Sequence, residues 1–63
     1  MEIKLQRIRL GLTQEDFAKK IQMARARVVQ LERGNYDSLR FREMKKIAKV
    51  LNSTVEELFL KEG

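Results

Sequence analysis

Residues of the types that can contact the edges of base pairs occur close together in the middle of the chain. They are Arg25, Ala26, Val29 and Gln30. A guanidinium binds guanine through two hydrogen bonds, a side-chain amide binds adenine in the same way, and small apolar groups fit against the methyl group of thymine. If these side chains share one exposed face, they predict contact with the major groove of double-stranded DNA.

A helix from about Arg25 to Arg33, ending before Gly34, would position these residues. With steps of about 100° per residue from Arg25, Val28 and Leu31 lie near 300° and 240°, which predicts a buried side. The opposite side, between about 40° and 140°, is predicted to face outward. Besides Arg25 at its edge, that outward face comprises Ala26, Val29, Gln30 and Arg33. A protein–protein surface is the alternative for this face.

The net charge favours an anionic partner. The chain has 14 Lys and Arg residues against 9 Asp and Glu, a formal charge of +5, and residues 25–46 alone hold seven basic and three acidic groups. This middle segment is the predicted footprint on DNA phosphates, although a basic solvated surface would have the same composition. Arg27, near 200° on the helix, leaves the outward face and is predicted to contact a phosphate. Arg33 is assigned to the phosphates as well.

The composition argues against an enzyme. A chain of 63 residues is expected to form one small domain, 1–63, and it contains neither Cys nor His, the commonest metal ligands and acid–base groups. We therefore expect no catalytic residues, metal, cofactor or small-molecule ligand. No apolar run is long enough to cross a membrane and no signal peptide is recognisable, so a cytoplasmic protein is expected.

Apolar residues recur at spacings of three and four, which predicts an all-α fold of five short helices. Gly11 is expected to end the first helix, Thr13 to cap the second, and Thr54 with Glu57 to form a capping box before the fifth. The turn-rich segment 35–38 is predicted to be a loop. The predicted helices cover about 3–10, 14–21, 25–33, 43–51 and the residues after 54.

Only about three residues, 22–24, connect the second and third helices. Two helices joined so tightly must cross steeply, as in a helix-turn-helix. A short helical hairpin with a purely structural role has the same spacing, so the spacing alone does not decide.

Several motifs in a fixed order resemble the XRE family, the lambda-repressor-like helix-turn-helix regulators that include phage repressors and Cro proteins. These motifs are Leu12-Thr-Gln-Glu-Asp-Phe-Ala18, Leu31-Glu-Arg-Gly34, Lys46-Ile-Ala-Lys-Val-Leu51 and Val55-Glu-Glu-Leu-Phe59. The resemblance covers about residues 3–59. It implies a compact five-helix DNA-binding domain in which helices two and three form the helix-turn-helix and helix three is the recognition helix.

The resemblance also implies roles for individual residues. Gln14 matches the residue that opens helix two, where a phosphate faces free backbone amides. Arg25, Ala26 and Gln30 match base-contacting positions. Segment 35–42 matches a loop and helix start that hold the DNA backbone, and its candidate phosphate contacts are Asn35, Tyr36, Ser38, Arg40 and Arg42.

Glu32 falls at the boundary of the predicted core, where an unpaired carboxylate is costly. Arg7 on the first helix is the expected partner, and the two positions match an ion pair of the family.

Four positions depart from the family pattern. Gln22 stands where a turn glycine is usual, Ala24 replaces the hydroxyl cap of the recognition helix, Arg42 replaces a polar cap at helix four, and Ser53 replaces an apolar residue. A left-handed backbone at Gln22 would be strained by about 1–2 kcal/mol. These losses favour stabilisation by a second chain or by DNA.

The predicted function is that of a transcriptional regulator, a repressor, which binds a near-palindromic DNA site as a homodimer. Phe59 and Leu60 exceed what one small core needs and are the predicted dimer surface. An antitoxin or adaptor that uses the same fold to bind proteins is the alternative, and a DNA binder without sequence preference is another.

Overall fold

The computed structural model describes residues 2–60, so position 1 and residues 61–63 of the predicted domain lie outside the described residues. Between residues 2 and 60 the chain forms helices and no β-strand. The elements are α1 (Glu2–Arg9), α2 (Gln14–Ile21), α3 (Arg25–Glu32), α4 (Phe41–Val50) and a C-terminal π-helix (Glu56–Leu60). The all-helical prediction is confirmed.

All four α-helices end in the same way. A residue with a left-handed backbone follows each helix, and the next amide donates to the carbonyl five residues back, at 2.8 to 3.1 Å. This arrangement satisfies carbonyl groups that the helix end would leave without a partner. The left-handed residues are Gly11, Gln22, Gly34 and Asn52. The predicted stops at Gly11 and Gly34 are therefore confirmed.

Gln22 is the exception in this set, because a glutamine rarely adopts a left-handed backbone. Its φ of 59° and ψ of 44° confirm the strain expected where the family has glycine. The side-chain oxygen of Gln22 accepts a hydrogen bond from Lys46 on α4. The turn between α2 and α3 is therefore tied to a third helix.

The caps of α2 and α3 follow the sequence prediction. The hydroxyl of Thr13 accepts the amide of Asp16 at 3.0 Å, and the Asp16 carboxylate accepts the amide of Thr13 at 3.1 Å. This reciprocal pair satisfies two free amides at the start of α2. Ala24, by contrast, caps α3 without any side-chain hydrogen bond.

The start of α4 was predicted wrongly. The helix begins at Phe41 rather than near Glu43, and Arg40 rather than Arg42 is the residue before its first turn. The carboxylate of Glu43 reaches back to accept the amide of Arg40 at 2.9 Å, which stabilises this earlier start. Phe41 is 63% exposed, so it does not belong to the buried apolar stripe from which the start of α4 could have been predicted.

The last element also differs from the prediction in type. Residues 56–60 form a π-helix rather than an α-helix. Thr54 nevertheless caps it as expected, since its hydroxyl accepts the amide of Glu57 at 3.1 Å.

The core lies between α2, α3 and α4 and is completed by Ile3 of α1 and Leu58 of the π-helix. α3 packs against α1 and α2, α4 packs against α2, and the π-helix packs against α1. Burial of one large apolar side chain contributes about 1.5–3 kcal/mol, so this cluster supplies most of the stability of the fold. Its fully buried large side chains are Ile3, Phe17, Ile21, Val28, Leu31, Ile47 and Leu51.

Candidate nucleic-acid interface

The orientation of α3 agrees with the helical arithmetic. Val28 and Leu31 have no exposed surface, whereas Arg25, Ala26 and Gln30 are exposed on the other side. Val29 is half-buried, so only part of its side chain is available on that face. The helix therefore presents a guanidinium, an amide and small apolar groups to the exterior, the set of groups that contacts base edges in the major groove.

Gln14, at the first position of α2, lies beside this face. Its side-chain oxygen accepts hydrogen bonds from Nε and Nη2 of Arg25, both at 3.4 Å. Gln14 and Arg25 line an open depression of about 540 Å³ together with Arg7, Thr13 and Glu15. The depression therefore lies at the N-terminal end of α2, where the positive end of a helix dipole suits a phosphate group.

The predicted partners Arg7 and Glu32 form an ion pair beneath the interface. Arg7 Nε lies 2.5 Å from Glu32 Oε2, and the two side chains are only 9% and 5% exposed. Arg7 also donates through Nη2 to Glu32 Oε1 at 3.3 Å and through Nη1 to the carbonyl of Leu12 at 2.7 Å. The pair joins α1 to α3 and so fixes the position of the candidate recognition helix.

The segment after α3 supplies the other predicted phosphate contacts. The side chains assigned there are exposed at Arg33, Asn35, Ser38, Arg40 and Arg42. Asn35 donates to the side-chain oxygen of Gln30 at 3.4 Å and accepts the amide of Asp37 at 3.1 Å. The loop therefore touches the exposed face of α3 directly, a contact that the sequence alone did not indicate.

Tyr36 lies deeper than the rest of this segment. It is half-buried, and its ring meets the ring of Phe59 edge to face, with centroids 5.0 Å apart and planes at 77°. Burial raises the pKa of the Tyr36 hydroxyl above its ordinary value. The Tyr36 ring therefore stabilises the C-terminal π-helix through Phe59, independently of what the Tyr36 hydroxyl contacts.

Arg27 also lies deeper than the helical arithmetic predicts. The residue is half-buried, and its Nη2 atom has essentially no exposed surface and no hydrogen-bond partner among residues 2–60. A buried donor without a partner carries a desolvation cost of about 1–3 kcal/mol. The Nη2 atom of Arg27 can contact a phosphate only if it moves outward.

The two residues of the predicted dimer surface differ in their exposure. Leu60 is 64% exposed, but Phe59 is half-buried against Tyr36 and is therefore partly used within its own chain. The dimer role of both residues stays a prediction, for which Phe59 offers only the part of its side chain that is not packed against Tyr36.

Other exposed apolar side chains were not predicted. Leu5 and Ile8, on the outer face of α1, have the three-residue spacing of a buried stripe, so their sequence pattern alone could not have revealed their exposure. Phe41 is exposed on α4, where the ammonium of Lys45 lies 5.3 Å from the centre of its ring.

Two further kinds of site are absent from the part of the chain that the structure describes. No three Asp, Glu, His or Cys side chains come together there in an arrangement that could hold a metal ion. No helix in the same range combines the length and apolarity needed to cross a membrane.

Comparison with known proteins identifies the family. A family model described as helix-turn-helix matches residues 3–58, which is most of the chain and includes both α2 and α3. The chain belongs to the XRE family of helix-turn-helix proteins. The matched range contains α2 and α3, the two helices of the predicted helix-turn-helix.

Curated relatives of this XRE-family chain occur in two archaea. A protein of Archaeoglobus fulgidus is 46% identical over 55 residues, covering 86% of this chain and 76% of its own length. A protein of Methanocaldococcus jannaschii is 39% identical over 62 residues, covering 97% and 91%. Both are named HTH-type transcriptional regulators. No solved structure matches the chain significantly. The family is one of DNA-binding regulators of transcription.

Proposed function

We propose that this protein binds a specific sequence of double-stranded DNA by inserting α3 into the major groove. The exposed α3 face supports this most directly, since Arg25, Ala26 and Gln30 point outward while Val28 and Leu31 are buried behind them. Arg25 is assigned to a guanine, Gln30 to an adenine, and Ala26 with the exposed part of Val29 to a thymine methyl group.

The phosphate backbone is assigned to the groups that surround this face. Gln14 at the start of α2 contacts Arg25, and Asn35 of the loop after α3 contacts Gln30. Such contacts supply affinity and register rather than sequence preference. The proposed loop and helix contacts are Arg27, Arg33, Asn35, Tyr36, Ser38, Arg40 and Arg42.

The protein is further proposed to act as a homodimer on a near-palindromic site. The general rule for this motif places two half-sites about one turn, or about 34 Å, apart. Leu60, exposed at the C-terminal π-helix, is the proposed centre of the dimer contact, with Phe59 contributing its exposed part. A dimer would bury apolar surface that the single chain leaves in water.

The proposed regulatory effect is repression in the cytoplasm, by a single domain that includes residues 1–63. Repression requires only that the bound domain occupy a site that other proteins need. The protein is also proposed to have no catalytic role and to need no cofactor.

Selection of bound duplexes from a random DNA library tests the proposal. We expect a palindromic site with a guanine at the Arg25 position, and we expect Arg25→Ala to weaken binding to that site by about 1–3 kcal/mol with relaxed preference at one base pair. Equal losses on the selected site and on random DNA would make Arg25 a phosphate contact instead. No binding at low salt would favour the protein-interaction alternative.

A further inference from the structure

The first residue of α4 is an aromatic side chain that lies outside the core. Phe41 is 63% exposed and directly follows the loop between α3 and α4. The ammonium of Lys45, four residues later and therefore on the same side of the helix, lies 5.3 Å from the centre of the ring. A cation at this distance is attracted to the ring, but the ring stays largely in water. Phe41 therefore presents apolar surface on which a partner could pack.

Cations surround Phe41 at this end of α4. Arg40 and Arg42 are its neighbours in the chain, and both are exposed, as is Lys45. Among residues 2–60 none of these three cations forms an ion pair. The carboxylate of Glu43 instead accepts the backbone amide of Arg40 at 2.9 Å. Because the positive end of a helix dipole opposes cations at its N-terminus, this arrangement does not serve the stability of α4.

The charges around the ring favour one kind of partner. A second copy packed on Phe41 about a two-fold axis would bring two identical sets of cations together. An apolar protein surface would take water from these cations without supplying a counter-charge. The DNA backbone alternates phosphates with sugars, so it offers anions to the cations and the carbon atoms of a sugar to the ring.

The place of Phe41 in the fold favours the same partner. Asn35, in the loop before α4, donates to Gln30 on the exposed face of α3 at 3.4 Å. This loop therefore joins the proposed base-contacting face to the start of α4. A duplex whose phosphates meet both Arg40 and Arg42, as proposed above, passes close to the residue between them.

We propose that Phe41 and Lys45 form a contact with the DNA backbone, in which the ring packs against a deoxyribose and the ammonium binds a neighbouring phosphate. This contact is additional to the phosphate contacts proposed above, and it rests on the proposed function because it requires α3 to hold a duplex. It contributes affinity without sequence preference.

Salt titrations of DNA binding, on the selected site and on a random duplex, test this inference. The test variants are Phe41→Ala and Lys45→Gln, compared with the wild type. The matched controls are Ile8→Ala, which shortens an apolar side chain that is 54% exposed on α1, and Lys49→Gln, which removes an exposed cation from the last turn of α4. Urea denaturation checks the folding of each variant, and analytical ultracentrifugation without DNA measures self-association.

We expect Phe41→Ala to weaken binding to both duplexes about 5- to 30-fold, because apolar contact area is lost. Its slope of log K against log salt should equal that of the wild type, because the ring is uncharged. Lys45→Gln should reduce the same slope by about one, as for the loss of one phosphate contact. Ile8→Ala should keep the wild-type affinity, and Lys49→Gln should keep the wild-type slope.

Three results would overturn the inference. If Phe41→Ala or Lys45→Gln behaves like its matched control while Arg42→Ala still reduces the slope, the inference is wrong and the proposed function stands. If Phe41→Ala abolishes self-association without DNA, the ring belongs to a protein interface and the inference is wrong as well. If the wild type binds neither duplex at low salt, the proposed function fails and the inference fails with it.

Discussion

The buried pair between Arg7 and Glu32 allows the sharpest test of how the fold positions α3. Arg7→Met removes a cation of similar length and keeps an apolar stem in its place. Three hydrogen bonds are lost, two to Glu32 and one to the carbonyl of Leu12. The Glu32 carboxylate, 5% exposed, then retains among residues 2–60 only the hydrogen bond from the side-chain NH₂ group of Gln14.

The expected loss of unfolding free energy is about 3–5 kcal/mol, the usual effect of leaving one member of a buried pair without its partner. A domain of this length has a total stability of about 3–9 kcal/mol. The single variant should therefore be close to unfolding in buffer. The double variant Arg7→Met/Glu32→Leu leaves no buried charge and should recover most of the loss, because apolar replacements of both partners are often neutral.

Urea denaturation followed by circular dichroism measures these differences. All variants should be compared in the same concentration of sucrose, which stabilises the folded state enough for a weak variant to show a complete transition. A loss below about 1 kcal/mol for Arg7→Met would refute the reasoning, since it would mean that water or a rearranged neighbour solvates the carboxylate. A double variant no more stable than the single one would refute it as well.

Four other outcomes follow from single features of the structure. Arg27→Met should leave the stability of the fold unchanged or raise it by about 1 kcal/mol, because it removes a buried donor without a partner. The same variant should bind all duplexes more weakly, because it also removes a proposed phosphate contact. A clear loss of stability in urea would contradict this. Gln22→Gly should be more stable than Gln22→Ala by about 1 kcal/mol in the same assay, because both variants lose the side-chain contact but only glycine relieves the left-handed strain. Hydrogen bonds from Thr13, first from its backbone amide and then from its hydroxyl, hold the pKa of Asp16 below the ordinary value of 3.8. The Asp16 carboxylate should therefore stabilise the fold above pH 3.8, and this effect should be lost as the pH falls through the lowered pKa. Asp16→Asn should flatten the fall of thermal stability in that pH range. Arg42→Ala should weaken binding to every sequence alike and reduce the slope of log K against log salt by about one, whereas a loss confined to the selected site would rule out its phosphate role.

Features that depend on residues within one helical turn of each other were predicted correctly. The caps at Thr13 and Thr54, the stops at Gly11 and Gly34, and the outward rotation of α3 all belong to this group. Each involves groups three to five residues apart, so the chemistry of neighbouring side chains is sufficient to specify it. Even here Arg40 was missed as the residue before α4, because an exposed Phe41 breaks the expected apolar pattern.

Contacts between residues that are far apart in the sequence were decided by the tertiary structure. Arg7 and Glu32 are 25 residues apart, and their pairing was found only because a carboxylate at a core boundary needs a cation. No comparable rule predicts that Gln14, 18 residues from Glu32 and 11 from Arg25, bridges the two. The local sequence therefore specifies which side chains α3 presents to the exterior. The packing of α1 and α2 against α3 decides how Arg25 is held, because the spacing of residues within one helix does not determine the distance between two helices.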